Sequence, residues 1–179
     1  PELVRAAILE HRPSIVILCG PNNPTGTSLD LDVVTAAYDA FDGMLIVDEA
    51  YHEFDDAHPS ALELLPGRPR LMVSRTMSKA FAFAGARVGY LAADPAFIDA
   101  LRLVRLPYHL SALTQAAAVA ALRNAQIMLA MVEEIIAQRD RITATLEALG
   151  YTPHPSWSNF VLFGGVADPA ATWRALYDQ

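Results

Sequence analysis

Disulfides, membrane spans and nucleic-acid contacts are all disfavoured by what this sequence lacks. Cys19 is the one cysteine in 179 residues, so no disulfide can form within the chain, and we expect a reducing compartment, the cytoplasm. Only 18% of the residues are charged, and 13 basic against 20 acidic side chains give a net charge of −7, which argues against a nucleic-acid-binding protein. The longest charge-free stretches contain proline and polar residues, so we expect no membrane-spanning helix.

The chain also lacks a metal-binding pattern and natural ends. Its five histidines do not have the spacing of metal ligands, so no metal site is expected. The hydrophobic content of 53% predicts a folded domain with a core. The chain begins at Pro1, without methionine, and ends at Gln179 inside a helical pattern. We therefore expect an internal portion of a longer protein.

Lysine is the scarcest of the charged residues. Of the 13 basic side chains, 12 are arginine and one is lysine, Lys79. A chain that uses arginine for nearly every positive charge has little need of lysine as a general cation. Lys79 is therefore a candidate for a specific role.

The first third of the chain has the pattern of a strand–helix–strand unit. Ile15–Cys19 is a short apolar run that predicts a strand buried on both faces. Apolar residues then recur at helical spacing over 31–41, and Met44–Val47 predicts a second strand. Such a unit implies parallel strands, with functional residues gathered at their carboxyl ends.

The remaining elements complete an α/β pattern. Two strands are expected at 70–74 and 88–92, followed by helices at 95–104, 111–122 and 125–149, strands at 151–155 and 160–163, and a helix from Pro169. The order and length of the expected elements change near residue 125, which predicts a domain boundary there. We expect an α/β three-layer αβα domain with a mostly parallel sheet over 1–125, and a linking helix with the start of a small α+β domain over 126–179.

Three polar groups follow the predicted strands. Asn23 lies in a turn rich in proline and glycine directly after the first strand. Asp48 ends the second strand against apolar residues, where an unpaired carboxylate is costly, and Tyr51 can reach the same region if the chain turns helical. As ordinary structural roles, the turn is a plain connection and Asp48 a helix N-cap.

The third group surrounds the single lysine. Lys79 follows the third strand among alanine, phenylalanine and glycine, where burial would favour its free amine. Thr76, Ser78 and Arg87 offer two hydroxyl groups and a guanidinium to an anion nearby. The plain alternative is a surface lysine on an alanine-rich segment.

Together the three groups match the needs of pyridoxal 5′-phosphate. This cofactor requires a lysine for a Schiff base, a carboxylate at its pyridine nitrogen and donors for its phosphate. We predict Lys79 for the first task and Asp48 for the second, and the set Thr76, Ser78 and Arg87 for the phosphate. Asn23 and Tyr51 would hydrogen-bond the phenolic oxygen of the ring. The released Lys79 amine can move a proton between substrate and cofactor, which is transamination.

The same residues resemble the signature of a known family. Asn23-Pro-Thr-Gly26, Asp48-Glu-Ala-Tyr51, and Ser78-Lys79 followed by Arg87 are similar to the motifs of the fold-type I pyridoxal-phosphate aminotransferases. The resemblance implies that 1–125 is part of the large cofactor-binding domain and 126–179 part of the small domain. It also implies that segments on either side, with the arginine that grips the substrate's acidic group, lie outside this chain. Family members complete each site from a second subunit, so a homodimer is expected, and this chain alone is expected to be inactive.

Longer stretches resemble the histidinol-phosphate aminotransferase subfamily. They are Val47–Phe54, Arg75–Gly85, Arg105–Ser111 and Ser156–Leu162. The resemblance implies histidinol phosphate and 2-oxoglutarate as substrates. Three alternatives stay open at this point: an aromatic-amino-acid aminotransferase, a lyase like threonine-phosphate decarboxylase, and an aminotransferase-like sensor domain of a transcription regulator.

Overall fold

Six α-helices and six β-strands make up the computed structural model, which describes all residues from 1 to 179. The helices are α1 (Glu2–His11), α2 (Leu31–Asp39), α3 (Pro95–Val104), α4 (Ala112–Arg123), α5 (Ala125–Ala148) and α6 (Pro169–Tyr177). The strands are β1 (Ile15–Cys19), β2 (Met44–Asp48), β3 (Leu71–Thr76), β4 (Gly89–Ala93), β5 (Thr152–Pro153) and β6 (Phe163–Gly164). No helix combines the length and apolar character that crossing a bilayer requires.

The main sheet is mostly parallel, as the sequence pattern predicts. Its four strands lie in the order β1-β2-β3-β4, with β1, β2 and β3 parallel and β4 antiparallel to β3. Helix α2 connects β1 to β2, so the expected crossover unit is confirmed. The register pairs Cys19 with Asp48 and Asp48 with Ser74. The carboxyl ends of three strands therefore meet at one edge of the sheet.

The core of the sheet lies on one face. Leu45, Val47, Leu71 and Val73 point to that face and pack against α1, α2 and the 3-10 helix at Ala61–Leu64, all with almost no exposure. Alternation of side chains along the strands places these four residues on the same side. Their burial holds the three parallel strands to the helices.

The opposite face of β1 is open in this chain. Ile15 is 56% exposed and Ile17 61% exposed, so the prediction of a strand buried on both faces is wrong here. An apolar strand can read as fully buried from its sequence, but burial requires an element on each face. Helices α1 and α2 cover one face of β1, and this chain places no element over Ile15 and Ile17 on the other.

The C-terminal third is helical with a short two-stranded sheet. Strands β5 and β6 are antiparallel and have two residues each, shorter than the expected 151–155 and 160–163. Helix α5 has 24 residues and Gly150 follows it at φ 85°, the left-handed conformation of a helix end. The domain boundary near residue 125 stays a prediction.

A buried ion pair joins the ends of β2 and β3 beneath the sheet edge. Glu49 Oε2 accepts hydrogen bonds from Arg75 Nε at 2.9 Å and Nη2 at 2.7 Å, and Arg75 also pairs with Glu53 at 3.3 Å. Burial, the largest single effect, lowers the pKa of Arg75. The hydrogen bond and charge of Glu49, with smaller effects of Glu53 and Tyr90, outweigh it and raise the pKa above its usual value. Arg75 therefore stays charged.

Replacing Arg75 with methionine is expected to destabilise the full-length protein by about 3–5 kcal/mol, because it leaves the Glu49 carboxylate buried without its cation. The measurement is the urea midpoint and the melting temperature. Arg102→Met is the matched control, since Arg102 pairs with Asp99 on the surface, with side chains 65% and 70% exposed. Its loss should cost under about 1 kcal/mol. Equal effects of the two changes would contradict a special role for the buried pair.

Candidate active site

All seven residues expected at the site lie on segments that begin or end at the carboxyl edge of the parallel strands. Asn23 follows β1, Asp48 ends β2, and Tyr51 comes three residues later. The chain turns directly after β2, where the His52 amide donates to the Glu49 carbonyl at 3.1 Å, and a 3-10 helix follows Tyr51 at His52–Phe54. Thr76 ends β3, and Ser78, Lys79 and Arg87 lie on the connection from β3 to β4.

Tyr51 is the residue on which two of the three polar groups converge. Its side chain is buried, and its hydroxyl accepts a hydrogen bond from Asn23 Nδ2 at 2.9 Å. The ammonium of Lys79 lies 5.3 Å from the centre of the Tyr51 ring, within the range of a cation–π contact. A hydroxyl that accepts from an amide keeps its own proton for another acceptor. Tyr51 can therefore donate to a group placed beside Lys79.

Asp48 is anchored through one of its two carboxylate oxygens. Its Oδ1 accepts from Ser74 Oγ at 3.2 Å and from the Ala50 amide at 3.1 Å. Both bonds use the same oxygen, which leaves Oδ2 able to accept from a donor outside these contacts. The two anchors fix the carboxylate on the face of the sheet that also carries Cys19.

The charge of Asp48 affects the pKa of Cys19. The two residues are register partners on β1 and β2. Burial is the larger cause that raises the pKa of the Cys19 thiol, and the negative charge of Asp48 raises it further. Cys19 is an exposed residue in this chain, and the raised pKa keeps it a protonated thiol at neutral pH, which disfavours a role as a nucleophile.

The side chains around Lys79 make few contacts with one another. Thr76 Oγ1 accepts from the Ser78 amide at 3.1 Å, which brings these two hydroxyl residues together. Arg87 is exposed, and its guanidinium donates to the Ala84 carbonyl at 3.2 Å, so it makes no hydrogen bond to either hydroxyl. The expectation that Lys79 is buried among its apolar neighbours is wrong for this chain, because Lys79 is exposed while Ala80 beside it is buried.

The largest cavity of the chain lies elsewhere. Its volume is about 460 Å³, and it is lined at the amino ends of β1 and β2 by residues such as Arg12, Ser14 and Asp42. Ligands of parallel α/β sheets bind at the carboxyl ends of the strands. We therefore place the candidate site by its polar groups and not by cavity volume.

One contact to the site comes from a residue to which the sequence analysis assigned no role. The ring of Phe160 meets the ring of Tyr51 edge to face, with centroids 5.3 Å apart. The sequence predicts a strand at 160–163 and carries a family resemblance over Ser156–Leu162, but neither points to Tyr51. Phe160 and Tyr51 are far apart in sequence, so no local sequence pattern predicts their contact.

Comparison with known proteins gives a consistent result. Residues 2–179 match the family described as aminotransferase class I and II. The chain is 59% identical over 177 residues to a histidinol-phosphate aminotransferase of Paenarthrobacter aurescens, covering 97% of this chain and 48% of that protein. It is 58% identical over 183 residues to the protein of that name in Frankia casuarinae, covering 99% of this chain and 46% of that protein.

A solved structure agrees with the fold. The crystal structure of histidinol-phosphate aminotransferase from Sinorhizobium meliloti in complex with pyridoxal-5′-phosphate has a TM-score of 0.82 and 33% identity, over 97% of this chain and 48% of that one. The chain thus spans about half the length of the relatives it matches. On the family match over nearly its whole length, the chain belongs to the class I and II aminotransferases.

Proposed function

We propose that the full-length protein is a pyridoxal-phosphate-dependent aminotransferase that moves an amino group from histidinol phosphate to 2-oxoglutarate in histidine biosynthesis. The observation that carries this proposal is the contact of Tyr51 with both Asn23 and Lys79 at the carboxyl edge of the sheet. The names of relatives at 58–59% identity support the choice of substrate. The proposal includes a homodimer, which the family resemblance implies, and a location in the cytoplasm, for which the single cysteine is the ground.

The donor set fits pyridoxal phosphate. Lys79 would bind the cofactor aldehyde through its amine, and the free Oδ2 of Asp48 would accept a hydrogen bond from the pyridine nitrogen. Tyr51, whose hydroxyl is held by Asn23, would donate its proton to the phenolic oxygen of the ring. The phosphate would be bound by the hydroxyls of Thr76 and Ser78 and, after its side chain turns from Ala84, by Arg87.

Each of these residues then has a physical task during the reaction. The bound cofactor supplies a ring that withdraws electrons from the substrate carbon. The Asp48 carboxylate would keep a proton on the ring nitrogen by charge and by hydrogen bonding. The Lys79 amine, once released from the cofactor aldehyde, would lie beside the substrate carbon, so its Nζ would take and return the substrate proton.

Transamination can be separated from the alternative activities by its product. The full-length protein with histidinol phosphate and 2-oxoglutarate is expected to form glutamate, measured by a coupled assay or chromatography, and Lys79→Ala should abolish it. Glutamate formed faster from aromatic amino acids would favour that aminotransferase activity. Carbon dioxide released from threonine phosphate, without glutamate, would favour a lyase, and binding without turnover would favour a sensor domain.

Reduction with borohydride is expected to fix pyridoxal phosphate on the peptide that contains Lys79. The physical reason is that reduction converts the carbon–nitrogen double bond between amine and aldehyde into a stable single bond. Mass spectrometry of the digested full-length protein locates the added group. Label on a different peptide would overturn the assignment of Lys79, and Lys79→Arg, which keeps the charge without the amine, should carry none.

The charge of Asp48 can be tested without any cofactor by measuring the pKa of Cys19. Because the negative charge of Asp48 raises the pKa of Cys19, Asp48→Asn should lower that pKa. The rate of Cys19 alkylation by iodoacetamide would then rise at a lower pH than in the unchanged protein, as measured on the Cys19 peptide. Asp42→Asn makes the same charge change at the other end of β2 and should leave the profile in place. Identical profiles for both variants would mean that Asp48 carries no charge beside Cys19.

A further inference from the structure

Three residues contact the Tyr51 side chain, and one of them, Phe160, lies in the C-terminal part of the chain. Asn23 holds its hydroxyl at 2.9 Å and the Lys79 ammonium lies 5.3 Å from its ring centre. The third contact is the edge-to-face contact with Phe160, with an interplanar angle of 90°. The first two residues belong to the proposed site, whereas Phe160 lies beyond helix α5.

Phe160 is fixed in place by hydrogen bonds to its own backbone. Ser156 Oγ donates to the Phe160 carbonyl at 2.6 Å, and Ser158 Oγ donates to the same carbonyl at 3.4 Å. Ser158 has no exposed surface. A ring carried on a backbone this restrained has little freedom to move away from Tyr51.

The same segment also rests against the turn that carries Asn23. The Trp157 amide donates to the Gly26 carbonyl at 2.9 Å. Gly26 has φ 76°, and a Cβ atom there would collide with the side chain of Ser156. This close approach requires glycine at position 26. Residues 156–160 therefore contact both the turn that carries Asn23 and the ring of Tyr51.

A buried arginine ties this segment to the residues that follow Tyr51. Arg139 of α5 is 8% exposed, and its Nη1 donates to the Phe54 carbonyl at 3.1 Å and to the Ser158 carbonyl at 3.5 Å. Phe54 ends the 3-10 helix that starts directly after Tyr51. The segment, the helix α5 and the Tyr51 turn are thus parts of one packed cluster.

We infer that Phe160 is a positioning residue for Tyr51. Its ring edge restricts rotation of the Tyr51 ring, which keeps the hydroxyl at Asn23 and aims the hydroxyl proton at the group bound beside Lys79. Phe160 itself needs no contact with cofactor or substrate. The inference rests on the proposed function, because it assigns Phe160 to the orientation of a proposed cofactor ligand.

The test compares two phenylalanine variants in the full-length protein. Phe160→Leu should raise the dissociation constant of pyridoxal phosphate roughly 2- to 13-fold, the range that corresponds to an edge-to-face aromatic pair. It is measured by titrating cofactor-free protein. Phe160→Tyr, which keeps the ring edge, should bind as the unchanged protein does. Phe163→Leu is the matched control, since Phe163 makes a similar ring contact with Tyr151, centroids 5.5 Å apart, away from the site.

A double-mutant cycle separates positioning from plain packing. If Phe160 acts through the Tyr51 hydroxyl, Phe160→Leu should have little effect on cofactor affinity in a Tyr51→Phe background. An equal loss in both backgrounds, or an equal loss in Phe163→Leu, would overturn the inference while the proposed function stands. An unchanged affinity with only a lower melting temperature would overturn it too. If the unchanged protein binds no pyridoxal phosphate, the proposed function fails, and the inference fails with it.

Discussion

The parallel register of β1, β2 and β3 decides which side chains can meet in this protein. Register pairs Cys19 with Asp48 and Asp48 with Ser74, so one face of the sheet edge carries a thiol, a carboxylate and a hydroxyl in a row. Parallel strands end at the same edge, and the connections that leave this edge carry Asn23 and Lys79. The chemistry of the candidate site follows from this alignment and not from an enclosed cavity.

The two carboxylates at the end of β2 lie on different faces of the sheet. The Asp48 carboxylate stands on the face with Cys19, while Glu49 and Arg75 form their ion pair on the face that packs against Ser60 and Ala61. A buried pair is costly to form, but its geometry is specific once formed. Here it fixes the backbone on both sides of the site, because Glu49 follows Asp48 and Arg75 precedes the end of β3. Arg75, which follows the register partner Ser74, is thus paired with Glu49 and not with Asp48, and Asp48 keeps one oxygen available.

Sequence patterns predicted what depends on local structure and missed what depends on distant packing. The crossover unit and helix α3 at Pro95–Val104 both follow from periodicity and helix-start signals. Seven site residues were predicted because strand ends can be located from apolar runs, and their roles remain proposals. The exposure of Ile17 and Lys79 was mispredicted, since burial depends on which elements pack nearby. The contact of Phe160 with Tyr51 joins residues on either side of α5, and no spacing rule reports it.

The C-terminal part of the chain orients a site residue that the sheet edge positions. The strand ends and the connections that follow them carry the seven proposed cofactor-binding residues of this chain, but a binding group needs an orientation as well as a position. For Tyr51 the orientation is set by contacts that include Phe160, and Phe160 is held by serines whose segment is tied to α5 through Arg139. A shift of α5 would therefore reach Tyr51 through the packed cluster before it reached Asp48, which is anchored within the sheet by Ser74. Of these two site groups, the phenol of Tyr51 is therefore the one in direct contact with the C-terminal part of the chain.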